Sequence, residues 1–137
     1  MKVIIYSDGG ARGNPGPAAA GALVYSADRS EVLARISDHL GEATNNQAEY
    51  QAIYRALLKA KELGATEAEC FLDSELVVKQ LQLKYKVKNH NISDLFLKTW
   101  NLLQQFQRVT FHAIPREENK EADRLVNLAL DGIGIRD

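Results

Sequence analysis

Two periods of apolar patterning alternate along the chain. Val3-Ile4-Ile5-Tyr6 is a continuous apolar run that breaks at Ser7-Asp8-Gly9-Gly10. Such a run predicts a buried strand entering a turn. The stretch GGARGNPGP that follows predicts a loop throughout. Ala18 to Ser26 and Glu31 to Asp38 then read as two more strands, with Asp28-Arg29-Ser30 as the hairpin turn between them and antiparallel pairing to the first.

The period then lengthens. Thr44-Asn45-Asn46-Gln47 has the T-x-x-Q form of a capping box, and Ala48, Ala52, Ile53, Ala56, Leu57 and Ala60 keep one helical stripe behind it. With Gly64 as a stop signal, this predicts a helix over about Asn45 to Leu63. Glu69 to Asp73 reads as a strand, and Ser74 can cap a short helix with Val77, Val78 and Leu81 on its apolar face. A basic stretch, Lys84 to His90, precedes a helix bearing Ile92, Leu95, Phe96, Trp100, Leu103 and Phe106. Val109 to Ile114 predicts a fifth strand, Pro115 to Asn119 a loop, and Ala122, Leu125, Val126, Ala129 and Leu130 the last helix.

The resulting order is β-β-β-α-β-α-α-β-α. Strands separated by helices imply right-handed parallel crossovers. The fold class is therefore α/β: a mixed five-stranded sheet, three strands in an antiparallel meander and two parallel, with helices on both faces. The 137 residues suit one domain. With 45% hydrophobic and 26% charged residues, disorder is not expected. The net charge of -1 means that a nucleic-acid partner must be met by a local basic patch. One cysteine, Cys70, excludes an internal disulfide and a Cys-rich zinc site, and points to a reducing, cytoplasmic setting. No apolar run is long enough for a leader or a membrane span. A monomer is expected.

The candidate chemistry lies in acids at element ends. Asp8 and Asp73 each follow an apolar strand, so parallel neighbours would bring both carboxylates to one sheet edge. Taken singly, Asp8 can open a Gly-Gly turn and Asp73 can start a helix. Glu49 sits in the first turns of the best helix, beside the amides of Asn45, Asn46 and Gln47. Asp123 interrupts the apolar stripe of the last helix, in a polar line with Asn119 and Asn127. Four acids at one edge repel one another and need cations. All-oxygen ligands select Mg²⁺ or Mn²⁺ over zinc. Two such ions suit in-line attack on a phosphodiester. The glycine-rich loop lacks the P-loop pattern, although Asn14 can reach a ligand from it. Lys84, Lys86, Lys88 and Lys98, near Tyr85 and Asn89, form either a solvated face or an arm for backbone phosphates. His39, His90 and His112 read as incidental, Cys70 as a buried strand residue, and Trp100 and Phe106 as core.

YSDGGARGNPGPAAAG, TNNQAEY, LDSELV and REENKEADRL, in that order, resemble the successive signature segments of type 1 ribonuclease H and span nearly the whole chain. The resemblance implies an endonuclease that hydrolyses the RNA strand of RNA/DNA hybrids, leaving 5′-phosphate and 3′-hydroxyl ends. It implies two Mg²⁺ ions, with Mn²⁺ as a substitute. Asp8 would bridge them, Asp123 would join it on the ion that activates water, and Glu49 and Asp73 would serve the second. Asn14, Asn45, Asn46 and Gln47 match positions that contact the hybrid, including RNA 2′-hydroxyls. Thr44 and Asn89 match positions that hold a DNA phosphate, with Ser74, Lys86 and Lys88 as further contacts. Many members carry a catalytic histidine in the loop before the last helix. Here that loop is Ile114-Pro115-Arg116-Glu117-Glu118, which makes Arg116 the candidate substitute and Glu118 the fallback. The family's basic protrusion is shortened to Lys84–His90, a tryptophan common there in bacterial members is missing, and Glu75 replaces an amide. A binding module on the same scaffold would be marked by loss of one acid, and all four are present. A nuclease that also cuts double-stranded RNA is not separated from a strict hybrid ribonuclease.

Overall fold

The computed structural model describes residues 1–132. Five strands, β1 (Lys2–Ala11), β2 (Gly16–Ser26), β3 (Val32–Ala43), β4 (Glu67–Leu72) and β5 (Arg108–Ala113), form one sheet in the order β3-β2-β1-β4-β5. β1–β2 and β2–β3 are antiparallel, while β1–β4 and β4–β5 are parallel, as the element order predicts. The helices are α1 (Asn45–Glu62), α2 (Glu75–Leu81), α3 (His90–Leu103) and α4 (Lys120–Leu130).

The alternation of β1 sorts the two layers. Val3 and Ile5 join the main core with Ala22, Val24, Cys70, and the α1 residues Tyr50, Ile53 and Leu57. α2 and α3 add Val77, Val78, Leu81, Ile92 and Leu102 to that side. The opposite face of β2 carries Ala19 and Leu23, which meet Val126 and Ala129, and Ala122 and Leu125, of α4. Cys70 is fully buried, as expected.

The capping box forms as written: Thr44 Oγ1 accepts from Gln47 N at 3.1 Å and Gln47 Oε1 from Thr44 N at 2.8 Å. Ser74 caps α2 by accepting from Val77 N at 3.2 Å. Gly64 closes α1 with a φ of +92°, a conformation that suits a residue without a Cβ.

Several boundaries differ from the sequence reading. The expected loop GGARGNPGP is strand at both ends, because β1 continues to Ala11 and β2 begins at Gly16. Asp8 therefore lies inside β1, opposite Gly21, and does not follow the strand. Glycine lowers local strand preference, but the ladder to Ala18–Gly21 supplies partners that only the tertiary pairing provides. β3 runs on to Ala43 against β2. His90 belongs to α3, while Phe106 lies beyond its end and still packs in the core. Arg116–Glu118 is a 3-10 turn within the expected loop. Trp100 is only half-buried and stacks on Phe96 at a 6.2 Å centroid distance. His112 is exposed, stacked on Phe71 and 3.0 Å from the Glu69 carboxylate. Of the C-terminal tail, residues 133–137 lie outside the described residues.

Candidate active site

Two glycines bring the acids together. A Cβ on Gly9 would overlap the backbone of Ala48 and Glu49, so the first turn of α1 rests directly on β1. On the other face, a Cβ on Gly21 would overlap the carbonyl of Ala122, so α4 sits equally close to β2. Glu49 and Asp123 thus arrive at Asp8 from opposite layers. Asp73 follows β4, the parallel neighbour of β1, and reaches the same place. Carboxylate oxygens of Asp8, Glu49 and Asp73 all lie within 4.8 Å of one another. Asp123 stands outside that trio, but lies near enough for its charge to help raise the Asp8 carboxyl.

The electrostatics are those of a site short of positive charge. Burial, and then the charges of Asp73, Glu49 and Asp123, push the Asp8 carboxyl up to about 8. Burial pushes Glu49 up to about 7, against a hydrogen bond from Ser74 and the nearby Arg116 charge. Asp73 is also raised, mainly by burial, and Arg116 again opposes the shift. Glu49 Oε2 is out of contact with solvent and has no hydrogen-bond partner. A buried carboxylate oxygen without a donor is costly unless something positive meets it. The donor set is all oxygen, so these residues fit hard divalent cations.

The acids line a cleft of about 490 Å³ together with Gly9, Gly10, Arg12, Asn45, Arg116 and Asn127. Asn127 Nδ2 donates to Asp123 O at 3.1 Å and lies 3.4 Å from its Oδ2, which steadies that carboxylate. Asn119 is not part of an exposed polar line. It is 2% exposed, and its Nδ2 donates to Ser7 O at 2.9 Å, tying the start of α4 to β1 next to Asp8.

A family model described as Reverse transcriptase-like matches residues 6–129. Ribonuclease HI of Halobacterium salinarum is 40% identical over 130 residues, covering 95% of this chain and 65% of that protein. This chain belongs to the type 1 ribonuclease H family. A bifunctional protein of Mycobacterium tuberculosis is 48% identical over 131 residues, yet the chain spans only 36% of its length. The N-terminal ribonuclease H domain of that protein, solved as a fusion with maltose-binding protein, has a TM-score of 0.93 at 47% identity, covering 96% of this chain and 100% of that one. LC11 ribonuclease H1, solved in complex with an RNA/DNA hybrid, has a TM-score of 0.90 at 42% identity, covering 95% of this chain and 97% of that one.

Of the predicted amides, Asn45 lines the cleft, while Asn14, Asn46 and Gln47 do not. Asn45 Oδ1 accepts from Ala11 N at 2.8 Å, and Asn14 Oδ1 accepts from Asn45 N at 3.0 Å. Ser74 Oγ accepts from Val77 N as the cap of α2, and its hydroxyl opposes the rise of the Glu49 carboxyl. Asn89 caps α3, accepting from Asn91 N at 2.8 Å. Lys86, Lys88 and Asn89 do not line the acidic cleft. Lys84 and Lys86 flank a separate groove with Leu83, Tyr85, Val87, Phe96 and Leu97. Arg12 also lines the acidic cleft, and sequence reasoning did not single it out. Nothing local marks an arginine in a glycine-rich turn as a site residue.

Proposed function

We propose that this domain hydrolyses the RNA strand of RNA/DNA hybrids with two divalent cations, Mg²⁺ or Mn²⁺ as a substitute, leaving 5′-phosphate and 3′-hydroxyl ends. The observation that carries this reading is the convergence of Asp8, Glu49 and Asp73 within 4.8 Å, with a buried Glu49 oxygen left unpartnered. The hybrid bound to LC11 ribonuclease H1 supports the substrate class.

Asp8, central among the acids, would serve both cations. Asp123 would join it at one position, and Glu49 and Asp73 would hold the other. When bound, the cations supply Lewis acidity and charge neutralisation at the scissile phosphate. Ser74 and Asn127 hold Glu49 and Asp123 in place. Arg116, whose charge reaches Glu49 and Asp73, steadies the phosphate. A guanidinium is a strong bidentate phosphate ligand and a poor proton shuttle.

The contacts assigned to the hybrid share a chemical trait. Asn14, Asn45, Gln47 and Asn89 each commit a side-chain oxygen to the fold, which leaves their amide N–H groups to donate. Thr44 Oγ1 likewise accepts from Gln47 N and keeps its own proton to give. Donors suit phosphates, 2′-hydroxyls and minor-groove acceptors. Asn14, Asn45, Asn46 and Gln47 would contact the hybrid, Thr44 and Asn89 would hold a phosphate of the DNA strand, and Lys86 and Lys88 would hold backbone phosphates.

The test is cleavage of a labelled RNA strand paired with DNA, paired with RNA, and alone, in Mg²⁺, Mn²⁺ and EDTA. Metal-dependent cutting of the hybrid alone is the expected result. Cutting of both duplexes would broaden the substrate. Binding without cutting in every metal would make the chain a binding module.

A further inference from the structure

The acidic cleft must accept a polyanion on a chain of net charge -1. Among its described lining residues, the cations are Arg116 and Arg12. Arg116 faces Glu49 and Asp73. Arg12 points elsewhere: its guanidinium pairs with Asp131, the C-cap of α4, at 2.7 Å. Asp131 lies eight residues beyond Asp123 on α4, a separation on the order of 12 Å along the helix axis.

We infer that Arg12 is a substrate-positioning residue that exchanges Asp131 for a backbone phosphate when a hybrid occupies the cleft. This rests on the hybrid reading above. Its backbone is already fixed. The Arg12 N–H donates to Pro17 O at 2.8 Å, and a Cβ on Gly16 would overlap the Arg12 carbonyl, so the turn holds the main chain close. Only the side chain is left to swing. Its partner is easily displaced, because the two side chains are 50% and 46% exposed, and exposed ion pairs contribute little. Asn14, two residues on, belongs to the same turn, so one rigid loop presents both a phosphate ligand and an amide donor. In the free protein Asp131 holds the guanidinium at the C-cap of α4, which gives it a partner other than the four acids.

The experiment measures hybrid affinity against salt in an Asp8→Asn background, with steady-state cleavage in otherwise wild-type chains. Arg12→Ala should weaken binding roughly fivefold or more and reduce the salt slope by about 0.9. It should raise KM with little change in kcat. Asp131→Asn should leave affinity unchanged or tighter, because it frees the guanidinium. Equal losses in the two variants would make the pair a structural latch and overturn the inference. Wild-type affinity and slope in Arg12→Ala would overturn it as well. A wild-type chain that neither binds nor cuts hybrid would overturn the hybrid reading and this inference with it, and is read separately from the variants.

Discussion

Asp8 stands directly opposite Gly21 across the β1–β2 ladder, and the bareness of Gly21 is what lets α4 carry Asp123 to Asp8. A side chain at Gly21 meets the Ala122 carbonyl, one residue before Asp123. Gly21→Ala is therefore expected to lift α4, cost about 1–3 kcal/mol of stability by overpacking, and lower turnover by tenfold or more. Chemical denaturation and cleavage assays on the same preparation check it. Unchanged activity in a destabilised variant would separate α4's seating from the geometry of the site.

Asp8 and Glu49 make the metal-free protein sensitive to pH. Their carboxyls are raised in the folded state, from ordinary values of 3.8 and 4.5 to about 8 and about 7. A raised folded value stabilises below the unfolded value and is lost as pH rises through the folded one. In EDTA the melting temperature should fall as pH is taken from about 4 to about 8. Mg²⁺ at a hundred times its Kd should restore about 2.7 kcal/mol near neutral pH. Asp8→Asn should flatten the fall, raise stability in EDTA and abolish cleavage while hybrid binding survives. Thermal melts across pH, with and without Mg²⁺, read all of this. A profile that does not change on metal addition would argue against cation binding at these acids.

On the proposed reading, Arg116 would stand in for the loop histidine of many family members, from its place in the cleft lining. Arg116→Ala should lower kcat roughly tenfold to hundredfold while weakening hybrid binding much less. Because arginine does not titrate near neutrality, its loss should leave the shape of the pH–rate profile unchanged. A shifted profile would assign the proton step to a group that Arg116 holds, with Glu118 next to be substituted.

Asn119 is buried at the joint between β1 and α4, and its Nδ2 supplies a bond to Ser7 O beside Asp8. Asn119→Ala removes that buried bond and should cost about 0.5–1.5 kcal/mol. Because the joint also places Asp123, turnover should fall with it. Denaturant midpoints compared with kcat test the link, and a stability loss with full activity would show that α4 is held by its apolar face alone.

Much of this is written locally. The continuous apolar run Val3–Tyr6 forecasts β1 as a buried strand, while which of its residues face α1 is decided by the packing. The Thr44–Gln47 box sets where α1 begins, and with it the position of Glu49. The apolar run of β4 puts Asp73 at a strand end. These features rest on period and capping chemistry, which act over a few residues and are legible in order. The four acids stand out as carboxylates at element ends and in a helical stripe, and their roles are implied only by the family resemblance. What the tertiary structure alone decided is how near those acids come. The continuation of β1 through Asp8 depends on partners in β2, and the burial of Asn119 on a carbonyl more than a hundred residues earlier. The pairing of Arg12 with Asp131 joins a turn to the far end of the chain. Layer spacing at Gly9 and Gly21 is set by helix backbones pressing on glycines, an interaction that leaves no periodic trace in either segment.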